Sequence, residues 1–164
     1  MEKVQQRLFE LQDLKFRDFN AKLIPNIDKE TVIGVRTPDM RKLAKELSKS
    51  GEWKEFIAEL PHQYHEENCM HGYILGGIKE DYDQVMDYLE EFLPHVNNWA
   101  VCDVISPKIF KKHPWEVYEK VKGWVKSEHE YTVRFGVVSM LQFFLDEEFQ
   151  PEMLQLVADI HREE

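Results

Sequence analysis

Three residues stand out for the chemistry that their types and spacing allow: Trp99, Asp103 and Arg134. Trp99 and Asp103 are four positions apart, so on a helix they stack one turn from each other. They lie in Asn97-Asn98-Trp99-Ala100-Val101-Cys102-Asp103-Val104-Ile105, where Ala100, Val101, Val104 and Ile105 make one apolar arc and the Trp–Asp pair occupies another face. A fixed carboxylate stabilises a positive charge held beside it, and an indole face adds attraction through its quadrupole. The plainer reading of the same spacing is packing against a neighbouring helix, with Asp103 capping a helix end or pairing with a lysine. Arg134 sits in Tyr131 to Leu145, a segment apolar almost all round, and a guanidinium there must find an anion. That anion is either an acid on the preceding unit, Asp103 being the first candidate, or a phosphate that the guanidinium grips as a fork.

Charge is distributed unevenly. Arg36 to Lys54 holds six basic residues against three acidic, and Lys108 to Lys126 holds six lysines against Glu116 and Glu119. Lys108, Lys111 and Lys112 lead the second stretch. Such stretches are either solvated helix faces or a track for phosphates. His62, His65, Cys69 and His71 cluster near one helix, with His65 and Cys69 four apart. The zinc-protease pattern fails there because Cys69 stands where its second histidine would be, so no metal or other cofactor is expected. Gly72, Gly76 and Gly77 are spaced for close helix packing and follow no strand, so they imply no dinucleotide loop. Trp53, Trp115 and Trp124 are expected in the core.

The elements that must position these residues are helices. Glycine and proline number seven each and fall between segments. Thr37-Pro38-Asp39 reads as a helix start, with a capping hydroxyl, a proline in the first turn and an acid at the positive end of the dipole. That helix buries Met40, Leu43, Ala44 and Leu47 and stops near Ser50-Gly51. An earlier helix is expected from Glu2 to Leu23, with Leu8, Leu11, Phe16 and Phe19 facing the core. Later helices fit Glu52 to Leu60, His65 to Ile78, Asp81 to Leu93, Asn98 to Phe110, Pro114 to Lys126, Tyr131 to Leu145 and Pro151 to Arg162. Ile24 to Val35 comes nearest to a strand, and Pro25 and Gly34 argue against one.

The helices repeat as pairs. Leu60-Pro61-His62 recurs as Leu93-Pro94-His95, and a third unit runs through Val117, Val121, Trp124 and Val125 before Tyr131. The period is roughly 32 to 36 residues, the range of helix-pair solenoids. A fourth unit begins with Leu154, Val157 and Ile160 and stops after one helix, at His161-Arg162-Glu163-Glu164. The expectation is therefore an all-α solenoid of antiparallel helix pairs over residues 1–164, with C-terminal repeats missing or the end covered by a partner. Hydrophobic residues are 43% and charged residues 32%, a globular balance rather than a disordered one. No apolar run approaches the roughly 20 residues of a membrane span, and no signal-peptide core follows Met1. Two cysteines without a local motif point to a reducing, cytoplasmic setting. A net charge of -10 argues against indiscriminate coating of nucleic acid and leaves room for a local basic groove.

Gly34-Val35-Arg36-Thr37-Pro38-Asp39-Met40-Arg41-Lys42-Leu43, Asn98-Trp99-Ala100-Val101-Cys102-Asp103 and Tyr131-Thr132-Val133-Arg134, taken as a set, resemble the AlkD-type DNA alkylation repair glycosylases. The resemblance implies a right-handed HEAT-like or armadillo-type superhelix whose concave face holds double-stranded DNA with alkylated bases. It implies release of cationic N-alkylated purines such as 3-methyladenine and 7-methylguanine. It places Trp99 and Asp103 beside the lesion's sugar, with Arg134 on the DNA backbone. From the charge pattern, Lys108, Lys111 and Lys112 are expected near the rim of that patch, on the DNA backbone. The family's second tryptophan would lie on a helix after the last one here. Two other functions fit the same residues: a non-catalytic binder of DNA structures and a helical-repeat protein-interaction module.

Overall fold

A computed structural model describes residues 2–161, and every regular element among them is helical. In chain order these are α1 (Glu2–Glu10), α2 (Leu14–Leu23), α3 (Thr37–Ser50), α4 (Trp53–Ala58), α5 (His65–Gly77), α6 (Tyr82–Phe92), α7 (Trp99–Cys102), α8 (Pro114–Trp124), α9 (Glu130–Phe143) and α10 (Glu152–Ala158). Short 3-10 turns cover Lys29–Thr31, Leu93–His95 and Lys108–Lys112. The last helix, expected to run to Arg162, ends at Ala158; Arg162 and the residues after it lie outside the described residues.

Two expected helices are broken, each for a local reason. The first stretch splits after Glu10 because Asp13 caps a new helix: its side chain accepts from the Phe16 N–H at 3.0 Å, and its own N–H donates to the Gly34 carbonyl at 2.9 Å. Leu8 is buried as expected, while Leu11 and Phe19 are exposed and Phe16 is half-buried beneath the Arg36 guanidinium, 5.0 Å away. Asn98 to Phe110 is not one helix either. It reduces to α7, a turn and the 3-10 segment, because Pro107 lacks an N–H and disfavours helical backbone at Ser106. At the start of α3, Arg36 rather than Thr37 takes the capping position and gives no side-chain bond. Gly51 closes that helix in the left-handed conformation, φ 83°, as the sequence pattern implies.

Packing follows a row: α3 lies on α5, α5 on α7 and α7 on α9, with α4 against α3 and α5, and α8 against α9. The apolar core runs continuously from Leu8 through Leu43, Ile74, Leu89, Val101, Val121 and Phe135 to Phe144. Trp53 and Trp124 are buried in it, whereas Trp115 is exposed. A Cβ on Gly136 would lie 2.8 Å from Val125, so α8 and α9 meet there at glycine distance. Between α9 and α10 an apolar groove of about 320 Å³ stays open, with Leu141, Leu145 and Leu154 exposed.

The first turn of α5 is buried and polar. Glu66 is fully buried, and its carboxylate accepts from the backbone N–H groups of Ile33 (2.9 Å), Gly34 (2.7 Å) and Val35 (3.3 Å). Gly34 has φ 96°, and a Cβ there would sit 2.6 Å from both Arg17 and the Asp13 carbonyl, so only glycine fits this crossing. Glu67 holds the start of α5 by accepting from the Tyr64 N–H at 2.9 Å. Glu66→Gln puts an amide donor against backbone donors and is expected to cost at least about 2 kcal/mol of unfolding free energy; urea denaturation checks this, and an unchanged midpoint contradicts it.

His62 and His71 form a buried pair, Nε2 to Nδ1 at 2.9 Å, stacked on Phe56 and Phe92 respectively. Burial holds both neutral, with His62 lowered to about 4 from 6.5. The unfolded chain takes up protons near pH 6.5 that the folded chain refuses, so this stabilisation is complete above that pH and is lost as pH falls toward 4. A His62→Phe/His71→Phe double variant should therefore lose less stability than wild type between pH 7 and pH 5 in parallel denaturation curves. Identical losses would contradict it.

Candidate functional site

Asn98 builds the site from beneath. It is fully buried, and its side-chain oxygen caps α7 by accepting from the Val101 N–H at 3.0 Å. Its amide nitrogen lies 3.4 Å from His65 Nδ1, at the start of α5, and donates to Asn97 at 2.9 Å. This fixes the entry of α7 and so the direction of Trp99, its first residue. The Trp99 indole N–H donates to the Leu23 carbonyl at 2.9 Å, which ties the ring edge to the end of α2. The residue remains 41% exposed.

Asp103 closes α7 one turn later, its N–H donating to the Trp99 carbonyl at 2.9 Å. Its carboxylate meets Arg134 of α9 in a two-point fork: Nε donates to Oδ1 at 2.8 Å and Nη2 to Oδ2 at 2.6 Å. The side chains are 34% and 43% exposed, so the pair faces water and is not a closed core ion pair. The carboxylate's hydrogen bonds hold the Arg134 pKa above its ordinary value. Tyr131, on the first turn of α9, accepts from Asn26 Nδ2 at 3.3 Å, and the same amide donates to the Asn97 carbonyl at 2.6 Å. Cys102 lies behind the pair with its thiol pKa pushed up to about 12 by burial and by the Asp103 charge, which keeps it in the thiol form.

Trp99, Asp103 and Arg134 thus meet on one open surface. Lys108, Lys111 and Lys112 follow on the 3-10 segment, exposed and without an ion pair among the described residues. Lys120 and Lys122 of the same basic stretch are spent on Glu90 (2.7 Å) and Glu119 (2.6 Å). Among the described residues no three His, Cys, Asp or Glu side chains converge as a metal-ligand set. His65 and Cys69, 3.5 Å apart, belong to the support beneath Asn98. Gly72 and Gly76 do permit close packing, their Cβ positions lying 3.0 Å from Val104 and 3.2 Å from the Ser106 carbonyl, while Gly77 faces open space.

The sequence patterns did not single out Asn98, Asn26, His65 or Tyr131 as supports. One signal was present: an asparagine directly before a short helix is a strong cap. The His65–Asn98 and Glu66–Ile33 bonds each span 33 residues, and the Arg134–Asp103 bond spans 31, close to the repeat period.

The fold and surface define an all-helical protein that presents a tryptophan, a carboxylate and a guanidinium together to solvent. The chain matches the DNA alkylation repair enzyme family over residues 4–163 and belongs to it. No curated protein and no solved structure gives a significant match. Among the described residues no helix is long and apolar enough to cross a membrane.

Asn98→Ala removes a cap and leaves His65 without its amide neighbour. It is expected to lower stability by about 1–2 kcal/mol; a thermal midpoint equal to wild type would show that α7 does not depend on this cap.

Proposed function

We propose that this protein is a DNA glycosylase that releases cationic N-alkylated purines, such as 3-methyladenine and 7-methylguanine, from double-stranded DNA. Family membership supplies DNA alkylation repair. The observation that carries the finer reading is the solvent-facing carboxylate of Asp103, one turn from an exposed Trp99 and forked to Arg134.

An N-alkylated purine already carries a positive charge. The bond between its nitrogen and sugar C1′ breaks with the electron pair leaving on the base, which departs neutral without a proton donor. Positive charge then passes to the sugar. Asp103, anionic and fixed by its backbone and by Arg134, lowers the energy of that sugar cation. Its oxygens also accept a hydrogen bond from the water that attacks C1′, and the water's proton is lost to solvent or carboxylate. Trp99 adds a cation–π attraction from its face. Arg134 exchanges part of its fork for a strand phosphate, which both anchors the strand and leaves Asp103 less neutralised. Lys108, Lys111 and Lys112 meet phosphates at the rim. An open surface suits a lesion that needs no general acid and no enclosing pocket.

Bonds that join residues about one repeat apart, and the row α3, α5, α7, α9, support a single HEAT-like solenoid whose inner helices carry the site. Two buried, unbridged cysteines fit a reducing compartment such as the cytoplasm.

Asp103→Asn keeps the shape and removes the charge. Single-turnover release of 7-methylguanine from methylated duplex DNA should slow by about 10²–10³-fold while DNA affinity stays within about twofold. Equal rates in variant and wild type would remove Asp103 from the mechanism. DNA binding by wild type with no base released would leave a non-catalytic DNA binder.

A further inference from the structure

The turn that follows α2 reaches across the site. Ile24 is fully buried, and the Ile27 N–H donates to the Ile24 carbonyl at 3.3 Å, so Pro25 and Asn26 occupy the centre of a tight turn. The proline fixes φ at the first central position and Ile24 anchors the turn in the core, so Asn26 is presented from a rigid base. Its amide nitrogen carries two N–H groups. They are spent on two different elements: the Asn97 carbonyl at 2.6 Å, directly before the cap of α7, and the Tyr131 hydroxyl oxygen at 3.3 Å, on the first turn of α9. Three residues earlier, the Leu23 carbonyl takes the Trp99 indole N–H at 2.9 Å.

These contacts differ in reach from the rest of the site. The bonds that join α5 to α7 and α7 to α9 span 33 and 31 residues, about one repeat. Those made by Leu23 and Asn26 span 76, 71 and 105 residues. Stacked helix pairs need only their neighbours for packing. Asn26 is exposed and polar, so it does not reach that far along the chain to bury surface. What it touches is the entry of the helix that bears Trp99, and a tyrosine one turn before Arg134 on α9. Tyr131 is held from a second side, its carbonyl accepting from the Cys102 thiol at 3.5 Å.

We propose that Asn26 is a positioning residue for base release: by bridging α7 and α9 it sets the Trp99 ring and the Arg134 guanidinium relative to each other around Asp103. The role rests on the glycosylase reading. The fork fixes Arg134 to Asp103 but not to Trp99, and the bridge supplies that second relation. An asparagine suits the position because both donors sit on one nitrogen, whereas a serine hydroxyl answers one acceptor and an aspartate none. Neither Asn26 nor the Tyr131 hydroxyl needs to touch DNA.

The test compares wild type, Asn26→Ala, Tyr131→Phe and the double variant in single-turnover release of 7-methylguanine, duplex affinity and thermal midpoint. Asn26→Ala should slow release about tenfold, because small misplacements of reacting groups are costly, with affinity within about twofold and the midpoint unchanged. Tyr131→Phe should slow release less, since the Asn97 half of the bridge remains. The double variant should be no slower than Asn26→Ala, because the hydroxyl acts through Asn26 alone; losses that multiply would overturn the bridge. A readout independent of activity is the Trp99 indole signal in a proton–nitrogen correlation spectrum, assigned among the four tryptophans by its loss in Trp99→Phe. It should shift in Asn26→Ala. Release at the wild-type rate, or an unmoved Trp99 signal, overturns the positioning role and leaves the glycosylase reading standing. Affinity and midpoint that fall in step with the rate make the bridge a contact of the fold and overturn it as well. A wild type that releases no base removes the glycosylase reading, and this role with it, whatever the indole signal shows.

Discussion

The first turn of α5 is the knot on which the molecule depends. A helix start offers free N–H groups and a positive dipole end, which favours acids there. Here Glu66 and Glu67 occupy that turn while buried, and the protein backbone takes the place of water around most of their oxygens. Glu66 is answered by three consecutive backbone N–H groups of the 33–35 segment, which fixes the approach of the chain to α3. Glu67 is answered at Oε2 by the N–H groups of Gln63 and Tyr64, while its Oε1 is buried without a hydrogen-bond partner among the described residues. His65, beside them, contacts the asparagine that caps α7. One turn therefore sets the relation between the entry to α3 and the helix that bears Trp99, and each link is local hydrogen-bond geometry rather than apolar packing.

Apolar burial supplies the bulk of the stabilisation, as in any domain of this size, but it does not orient a short helix. The four residues of α7 are too few to hold a helix by their own propensity. They are held at one end by Asn98, at the other by the Asp103 backbone bond, and at the side by the Trp99–Leu23 contact. The fork to Arg134 then joins α7 to α9. It serves two ends. It prevents the Asp103 carboxylate from turning away, and in the proposed reaction it keeps beside it a guanidinium for a phosphate to recruit. Because both side chains face water, the pair contributes less to stability than a buried one would, and its polar atoms stay open to solvent.

Much of this was legible in the residues. Apolar periodicity placed α3, α5, α6, α8 and α9 within a few positions, because each carries a sustained core face and a clear stop. Trp99, Asp103 and Arg134 were legible because a carboxylate one turn from an indole, and a cation in an apolar segment, both demand partners. The breaks at Asp13 and Pro107 were written in the sequence too, since a capping acid and a proline outrank an apolar pattern that continues past them. The exposure of Phe19 and Leu11 was not legible, because periodicity reports that a face is apolar and not whether anything covers it. Nor was the role of Glu66, since Glu-Glu in a first turn looks like a solvated cap until the backbone that clasps it, a full repeat earlier, is seen.

In the proposed reaction the leaving group carries its own positive charge, so that one carboxylate suffices and no proton donor is needed. The most direct test compares two otherwise identical duplexes, one with a single 7-methylguanine and one with a single hypoxanthine, a neutral lesion. Base release is measured under single-turnover conditions with wild-type protein. The account predicts release of 7-methylguanine well above the uncatalysed rate and none of hypoxanthine. Comparable release of both bases would contradict it, because a neutral purine leaves readily only when a general acid protonates it, and the proposed mechanism uses none.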